Sequence, residues 1–448
     1  MLLNFTVENW MSYRDEATFA LTSSLERQHI ETLSKVPGFR SKKALPVAAI
    51  YGGNASGKTG IFRALACLKD MVTKDPGVSG VVPVVPFLLE DGSTLKPTVF
   101  DTTFVSHGVV YRYVVEATMT AVRYESLERI TERGSHDIFE RDESRKEPYL
   151  FDESFFIESD HVVYAAKSTR GNRLFLGSAV AQNVVELEDA YTWFAETLEL
   201  VGVESQAWNF ATCATKKAGF LRYAADVLSR LDTGIVDLVS EEVGTGALPQ
   251  DTALQNAIAE LSQDNILTFV SERGAGDYGF EVITVRKENE QPVVERLRTV
   301  HVGPDGKEHV FPLSMESSGT QRLMGLMPML FDLVNPDGTV AEKVYVVDEL
   351  DRCLHTMLSA RLIRDFVAGC GVRTRKQLLF TTHDLLLMDQ SLMRRDEMYI
   401  AQRGTDGCSE LVGLAEFEGI RYDKDLVRSY LDGRFGGIPM LGEAGARG

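Results

Sequence analysis

The run Ala49-Ile50-Tyr51-Gly52-Gly53-Asn54-Ala55-Ser56-Gly57-Lys58-Thr59 constrains this chain more than any other stretch, because it reads G-x-x-x-x-G-K-T between two segments of opposite character. Before it lies the apolar run 46–51. After it, Ile61, Leu65, Leu68 and Val72 recur at the spacing of one helix face. A glycine-rich turn between a buried strand and a helix start is the context a phosphate-binding loop requires. Glycines let the backbone curl around an anion, and successive N–H groups and the helix N-terminus point into the curl. The pattern assigns Gly52, Asn54, Ala55, Ser56, Gly57, Lys58 and Thr59 to nucleotide binding. Lys58 would reach the β- and γ-phosphates of the nucleotide, and the Thr59 hydroxyl would hold Mg²⁺.

The totals exclude several classes. A length of 448 residues allows two to three domain-sized units, and 44% hydrophobic with 25% charged residues is an ordinary globular balance. No apolar run approaches the roughly 20 residues of a membrane span. The start, Met1-Leu-Leu-Asn-Phe-Thr-Val-Glu, has no basic leader pattern, so a cytoplasmic location is expected. Cys67, Cys213, Cys353, Cys370 and Cys408 are scattered and form no C-x-x-C pair, against a disulfide framework or a zinc site. A net charge of −18 argues against a large indiscriminate nucleic-acid surface. Arg361, Arg364, Arg373, Arg375 and Lys376 form the most basic run, read as a solvated helix face. No H-E-x-x-H or other nuclease-like cluster is present.

Taken in order, residues 1–20 read as strand, turn and strand, and 21–45 as a polar connection. Residues 98–118, with Ser106-His107-Gly108 at the turn, carry a hairpin signal continued by 121–130 and 137–140. Between 184 and 243 the period becomes helical, through Val185, Leu187, Tyr191, Phe194 and Leu198, then Phe220, Tyr223, Val227 and Leu231. A helix is expected at 252–262, strands near 266–271 and 279–286, and a strand-like stretch at 289–312 around Gly303-Pro304-Asp305-Gly306. No heptad pattern is sustained.

A second apolar strand, 344–349, ends in Asp348-Glu349, the acids that a phosphate-binding loop pairs with: Asp348 toward Mg²⁺, Glu349 toward the attacking water. A third, Gln377-Leu-Leu-Phe-Thr-Thr, ends in His383. Upstream, Glu316-Ser317-Ser318-Gly319-Thr320 precedes Leu323, Leu326, Met327 and Leu330. It reads either as an anion-holding helix start or as an ordinary serine N-cap.

That order of motifs resembles the ABC-type ATPases, in particular their SMC/RecF-like branch. The resemblance implies that Ser317 and Gly319 form the signature that closes over the γ-phosphate bound by another subunit. It makes Asp348 and Glu349 the Walker B pair, His383 the switch histidine, and Asp351 part of the inter-subunit loop. It also places Tyr13 and Arg14 beside the nucleotide. With Asn9-Trp-Met-Ser-Tyr-Arg-Asp-Glu, Asp348-Glu-Leu-Asp-Arg-Cys-Leu-His and the tail from Tyr422 to Pro439, the chain is similar to a class of prokaryotic ATPases found in phage-defence and abortive-infection systems, commonly beside a Toprim-type nuclease. Two departures stand out. The signature is Glu-Ser-Ser-Gly-Thr, not Leu-Ser-Gly-Gly-Gln, and no glutamine occurs between Thr59 and Gln182, where 85–90 takes the place of the Q-loop.

The expectation is an α/β, ABC-type P-loop ATPase head whose halves, 1–95 and 300–448, flank an inserted antiparallel β and helical region, 96–299. Two heads would sandwich ATP and Mg²⁺ as a switch, as a dimer or within a higher oligomer. Such a switch fits a defence sensor that controls a nuclease effector. The alternative is a RecF-like repair ATPase that clamps nucleic acid directly. A transporter subunit, which would need a membrane-coupling feature, is disfavoured.

Overall fold

The computed structural model describes residues 1–156, 159–202, 207–231, 233–262, 265–272, 280–289, 291–334, 342–352, 354–417 and 425–436. Part of the C-terminal tail that carries the family resemblance, 422–424 and 437–439, lies outside them, as does Cys353. The chain divides into two compact units. One comprises Met1–Val201, Asp337–Leu350 and Ser359–Gly448, the other Gly202–Pro336 and Asp351–Leu358. Among the described residues, no helix is long and apolar enough to cross a membrane.

The first unit is built on a six-stranded sheet in the order Leu198–Val201, Lys343–Val347, Lys376–Thr381, Val47–Tyr51, Met398–Arg403, Ser409–Gly413. The first five strands are parallel, and only the last pair is antiparallel. Parallel strands are covered on both faces, which is why Val-Ala-Ala-Ile-Tyr and Lys-Val-Tyr-Val-Val read as continuous apolar runs. The register pairs Phe380 with both Val347 and Ala49. Three chain segments therefore leave the sheet at one carboxyl edge, where ligands of open α/β sheets bind. This is the α/β architecture, with a P-loop between a buried strand and a helix, expected from the motif order.

The hairpins after residue 96 continue a sheet begun at the N-terminus. Its order is Tyr149–Phe151, Gly134–Asp142, Val122–Thr131, Val109–Ala117, Thr98–Ser106, Leu2–Glu8, Ala17–Ala20. Leu2–Glu8 pairs with Thr98–Ser106 in a register that sets Phe5 opposite Thr102 and Val7 opposite Phe100. Helix Lys58–Thr73 buries its predicted face, Ile61, Leu65, Leu68 and Val72, in a core that also holds Phe5, Phe100, Phe104, Val346 and Leu379. Buried Gln377 joins the two sheets. Its Oε1 accepts from Leu2 N at 2.6 Å, and its Nε2 donates to the carbonyls of Leu2 and Leu45, both at 2.9 Å.

The helical reading of 184–243 fails at two places. Leu198–Val201 is a strand, pairing in parallel with residues 344–347 after one helical stretch, Glu188–Thr197, has ended. Leu-Glu-Leu-Val has apolar residues at both strand and helix spacings, and an open sheet edge decides between them. Ile235–Val243 is also a strand, in the second unit.

That second unit carries an antiparallel sheet ordered Ile235–Val243, Gln291–Val302, Phe280–Glu288, Leu267–Glu272, with Glu308–Pro312 also on Gln291–Val302. The expected Gly303-to-Gly306 turn joins its last two strands in the chain. Helix Thr252–Ala259 sets Ile258 against Ile283, Val285 and Val294. Helices Ala207–Lys216, Phe220–Arg230 and Ser318–Val334 meet through Phe210, Phe220 and Phe331, with ring centroids 5.1 and 5.4 Å apart.

Candidate nucleotide site

The P-loop begins where the strand Val47–Tyr51 ends and closes at Lys58, the first residue of the helix. Its curl needs left-handed backbone at Gly52 (φ 152°), Ala55 (φ 60°) and Gly57 (φ 110°). Space is as restrictive as torsion. A Cβ at 52 would stand 2.4 Å from the Ala401 carbonyl, and one at 57 would stand 2.8 Å from Ser409 Oγ and 2.9 Å from Tyr13 Oη. Lys58 spans the loop. Its buried ammonium donates to the carbonyls of Gly52 at 2.8 Å and Gly53 at 2.9 Å. The positive charge it brings to the loop suits it to hold a phosphate oxygen.

Tyr13 takes a different place from the one expected. It is fully buried, donates its hydroxyl to the Gly57 carbonyl at 3.1 Å, and is kept protonated by burial. Trp10 Nε1 donates to the Gly60 carbonyl at 2.9 Å. The N-terminal loop thus props the P-loop from within the core. Arg14 pairs with Asp15 at 2.8 Å and Asp406 at 3.6 Å.

At the carboxyl edge, buried Asp348 Oδ1 accepts from Thr381 Oγ1 at 2.6 Å and from Thr59 Oγ1 at 3.2 Å. The Thr381 hydroxyl also accepts the Glu349 N–H at 2.8 Å. Glu349 itself sits at φ 50°, which costs a β-carbon residue of order 1 kcal/mol. His383 lies between the two charged groups: Nδ1 is 3.4 Å from Lys58 Nζ, and Nε2 is 3.5 Å from Glu349 Oε1. Because an ammonium only donates, Nδ1 is the acceptor, and Nε2 carries its proton toward Glu349.

These residues fit a nucleotide with a hard divalent cation. Thr59 and Asp348 offer neighbouring oxygen donors of the kind Mg²⁺ prefers. Among the described residues there is no cluster of three or more His, Cys, Asp or Glu that could hold a metal ion.

A cavity of about 630 Å³ is lined by Asn54 to Gly60 together with Glu349 and His383. Met11, Ser12, Val85, Pro86, Leu88, Leu89 and Arg403 complete it. The segment 85–90 therefore contributes an apolar wall. It is tied to the N-terminal loop by Met11 N to Val85 O at 2.7 Å and Phe87 N to Asn9 Oδ1 at 3.0 Å.

Of the residues singled out in the sequence, the first unit brings Lys58, Thr59, Asp348, Glu349 and His383 together. Sequence reasoning missed Thr381 and Trp10, and it set Tyr13 beside the nucleotide where the structure buries it against the Gly57 carbonyl. Thr381 is two residues before His383 on an apolar strand, and a polar residue in such a run is a signal that was available.

Ser317, Gly319 and Asp351 belong to the second unit. Ser317 precedes helix Ser318–Val334 and caps it, Oγ accepting from Thr320 N at 3.2 Å and lying 2.9 Å from Thr320 Oγ1. Gly319 is in the first turn. Asp351 turns the chain after the acid pair, its carbonyl accepting from Leu354 N at 3.0 Å.

Residues 47–162 and 250–389, together more than half the chain, match the family described as "AAA domain, putative AbiEii toxin, Type IV TA system". Among solved structures, the chain is similar to the SMC head domain from Thermotoga maritima, at 12% identity and TM-score 0.36, covering 92% of this chain and 98% of that one. It is similar also to an SMC head bound to the C-winged helix domain of ScpA, at 13% identity and TM-score 0.39, covering 92% and 97%. No curated protein matches.

Proposed function

The chain belongs to this AAA-domain family, and from that premise we propose that it binds and hydrolyses ATP as a nucleotide-dependent dimerising switch. The observation that carries the reading is the convergence of Lys58, Thr59, Asp348, Glu349 and His383 from three parallel strands, with His383 3.4 Å from Lys58 and 3.5 Å from Glu349.

In this reading the P-loop N–H groups and Lys58 hold the β- and γ-phosphates. Thr59 and Asp348 hold Mg²⁺, which neutralises phosphate charge and polarises the phosphoryl oxygens. Glu349 accepts the proton of the attacking water, and His383 contacts the γ-phosphate and orients Glu349. Ser317 and Gly319 of one copy close over the nucleotide held by another, with Asp351 beside the joint. Loss of the γ-phosphate removes the group that distinguishes the closed from the open state.

The family description supports a role in a toxin–antitoxin or abortive-infection system. We place the chain there as the regulator of a nuclease effector carried by another polypeptide. A net charge of −18 favours this over a clamp that grips nucleic acid directly. The test is phosphate release with ATP and Mg²⁺ by the wild type, Lys58→Ala and Glu349→Gln. Activity in the wild type alone is expected; equal activity in all three would reject the assignment.

A further inference from the structure

We propose that His301 and Thr299 are positioning residues for the signature turn: they latch Glu316, and through it hold Ser317 and Gly319 in the form that closes over nucleotide on a second copy. The inference rests on the shared-site reading above.

Ser317 and Ser318 are exposed, so packing does not fix them. Glu316, immediately before, is nearly buried, its side chain 7% accessible. A carboxylate so placed needs donors. Its Oε1 accepts from Thr299 Oγ1 at 2.5 Å and from His301 Nε2 at 2.8 Å. Thr299 and His301 are two apart on the strand Gln291–Val302 and therefore share a face.

The histidine is itself held. Its ring meets Phe311 edge-on at 5.4 Å, and it lies against Gly234, where a Cβ would come within 3.4 Å of Nδ1. The main chain of the turn is gripped as well. Gln321 Nε2 donates to the carbonyls of Glu316 at 2.8 Å and Ser314 at 3.2 Å. An exposed loop is thus ordered before any ligand arrives, and that cost does not fall on binding. Glu316 does not touch the nucleotide in this account; it sets the residues that do.

The test uses the full chain carrying Glu349→Gln, with ATP and Mg²⁺, and reads self-association by sedimentation alongside ATP affinity in dilute protein. Adding His301→Ala should weaken ATP-driven association about tenfold while leaving dilute ATP affinity and cooperative melting in place. His301→Gln, whose amide can donate to Glu316, should restore most of it. A merely structural histidine would not give that pattern. Wild-type association in His301→Ala, or a His301→Gln as defective as the alanine variant, would overturn the latch. If His301→Ala does not fold, Thr299→Val decides by the same readout, with weakened association expected. Ser317→Arg separates the two levels. If it associates normally, or if the parent shows no ATP-driven association, the shared-site reading has failed and the latch with it. If only Ser317→Arg is defective, the latch alone has failed.

Discussion

The Thr381 hydroxyl donates to Asp348 Oδ1 at 2.6 Å while accepting the backbone N–H of Glu349 at 2.8 Å, so one side chain from the neighbouring strand orders both acids of the pair. It also supports the left-handed backbone at Glu349. Thr381→Val keeps the volume and removes the hydroxyl, leaving a buried carboxylate oxygen and an N–H one partner short. A stability loss of about 1–3 kcal/mol is expected, with phosphate release falling further than ATP affinity. Thr381→Ser should recover both. Denaturant titration and steady-state hydrolysis check this.

Lys58→Ala removes the ammonium that bridges Gly52 and Gly53 as well as the charge offered to phosphate. ATP affinity should drop at least about tenfold, the worth of one charge-assisted hydrogen bond. Fluorescent-nucleotide titration reads this directly, and unchanged affinity would remove the loop from the account.

Gln377→Leu tests the joint between the two sheets of the first unit. It strips partners from Leu2 N, Leu2 O and Leu45 O at a buried position. The expected cost is of order 3 kcal/mol or more, since each orphaned group costs about 1–3 kcal/mol. Equilibrium unfolding is the measurement, and a loss below about 0.5 kcal/mol, the range of ordinary surface changes, would contradict it.

Glu397 gives a pH signature. It is fully buried, and burial pushes its carboxyl well above the ordinary value, against the opposing hydrogen bond from Arg394 N. The folded state therefore keeps a proton that the unfolded chain releases. Stability from this group is complete below the unfolded value near 4.5 and is lost as pH rises toward the folded value. Glu397→Gln should flatten the fall in melting temperature between the ordinary carboxyl range and neutrality, with equal or higher stability at pH 7. A steeper pH dependence in the variant would contradict the burial argument.

What could be read in the sequence follows from range. The strands Val47–Tyr51, Lys343–Val347 and Lys376–Thr381 are parallel and covered on both faces, so each carries a run of consecutive apolar residues with its candidate site residues following close behind. The hairpins around Ser106-His107-Gly108 announce themselves by local turn chemistry. Leu198–Val201 does not, because its identity as a strand depends on a partner at 344–347. Nor does the union of Leu2–Glu8 with Thr98–Ser106, whose pairing spans some ninety residues of chain. Tyr13 lay in a motif associated with nucleotide contact, yet its phenol is spent inside the core on Gly57. Of the two sequence readings of Ser317, the structure shows the N-cap, its hydroxyl accepting from Thr320 N.

The central claim is that ATP joins two copies of this chain through a shared site. The direct measurement is the native mass of Glu349→Gln with ATP and Mg²⁺, compared with ADP and with no nucleotide. The account predicts a dimer, or a multiple of it, only with ATP, and loss of that species in Ser317→Arg. A mass that is the same in all three nucleotide conditions would contradict it.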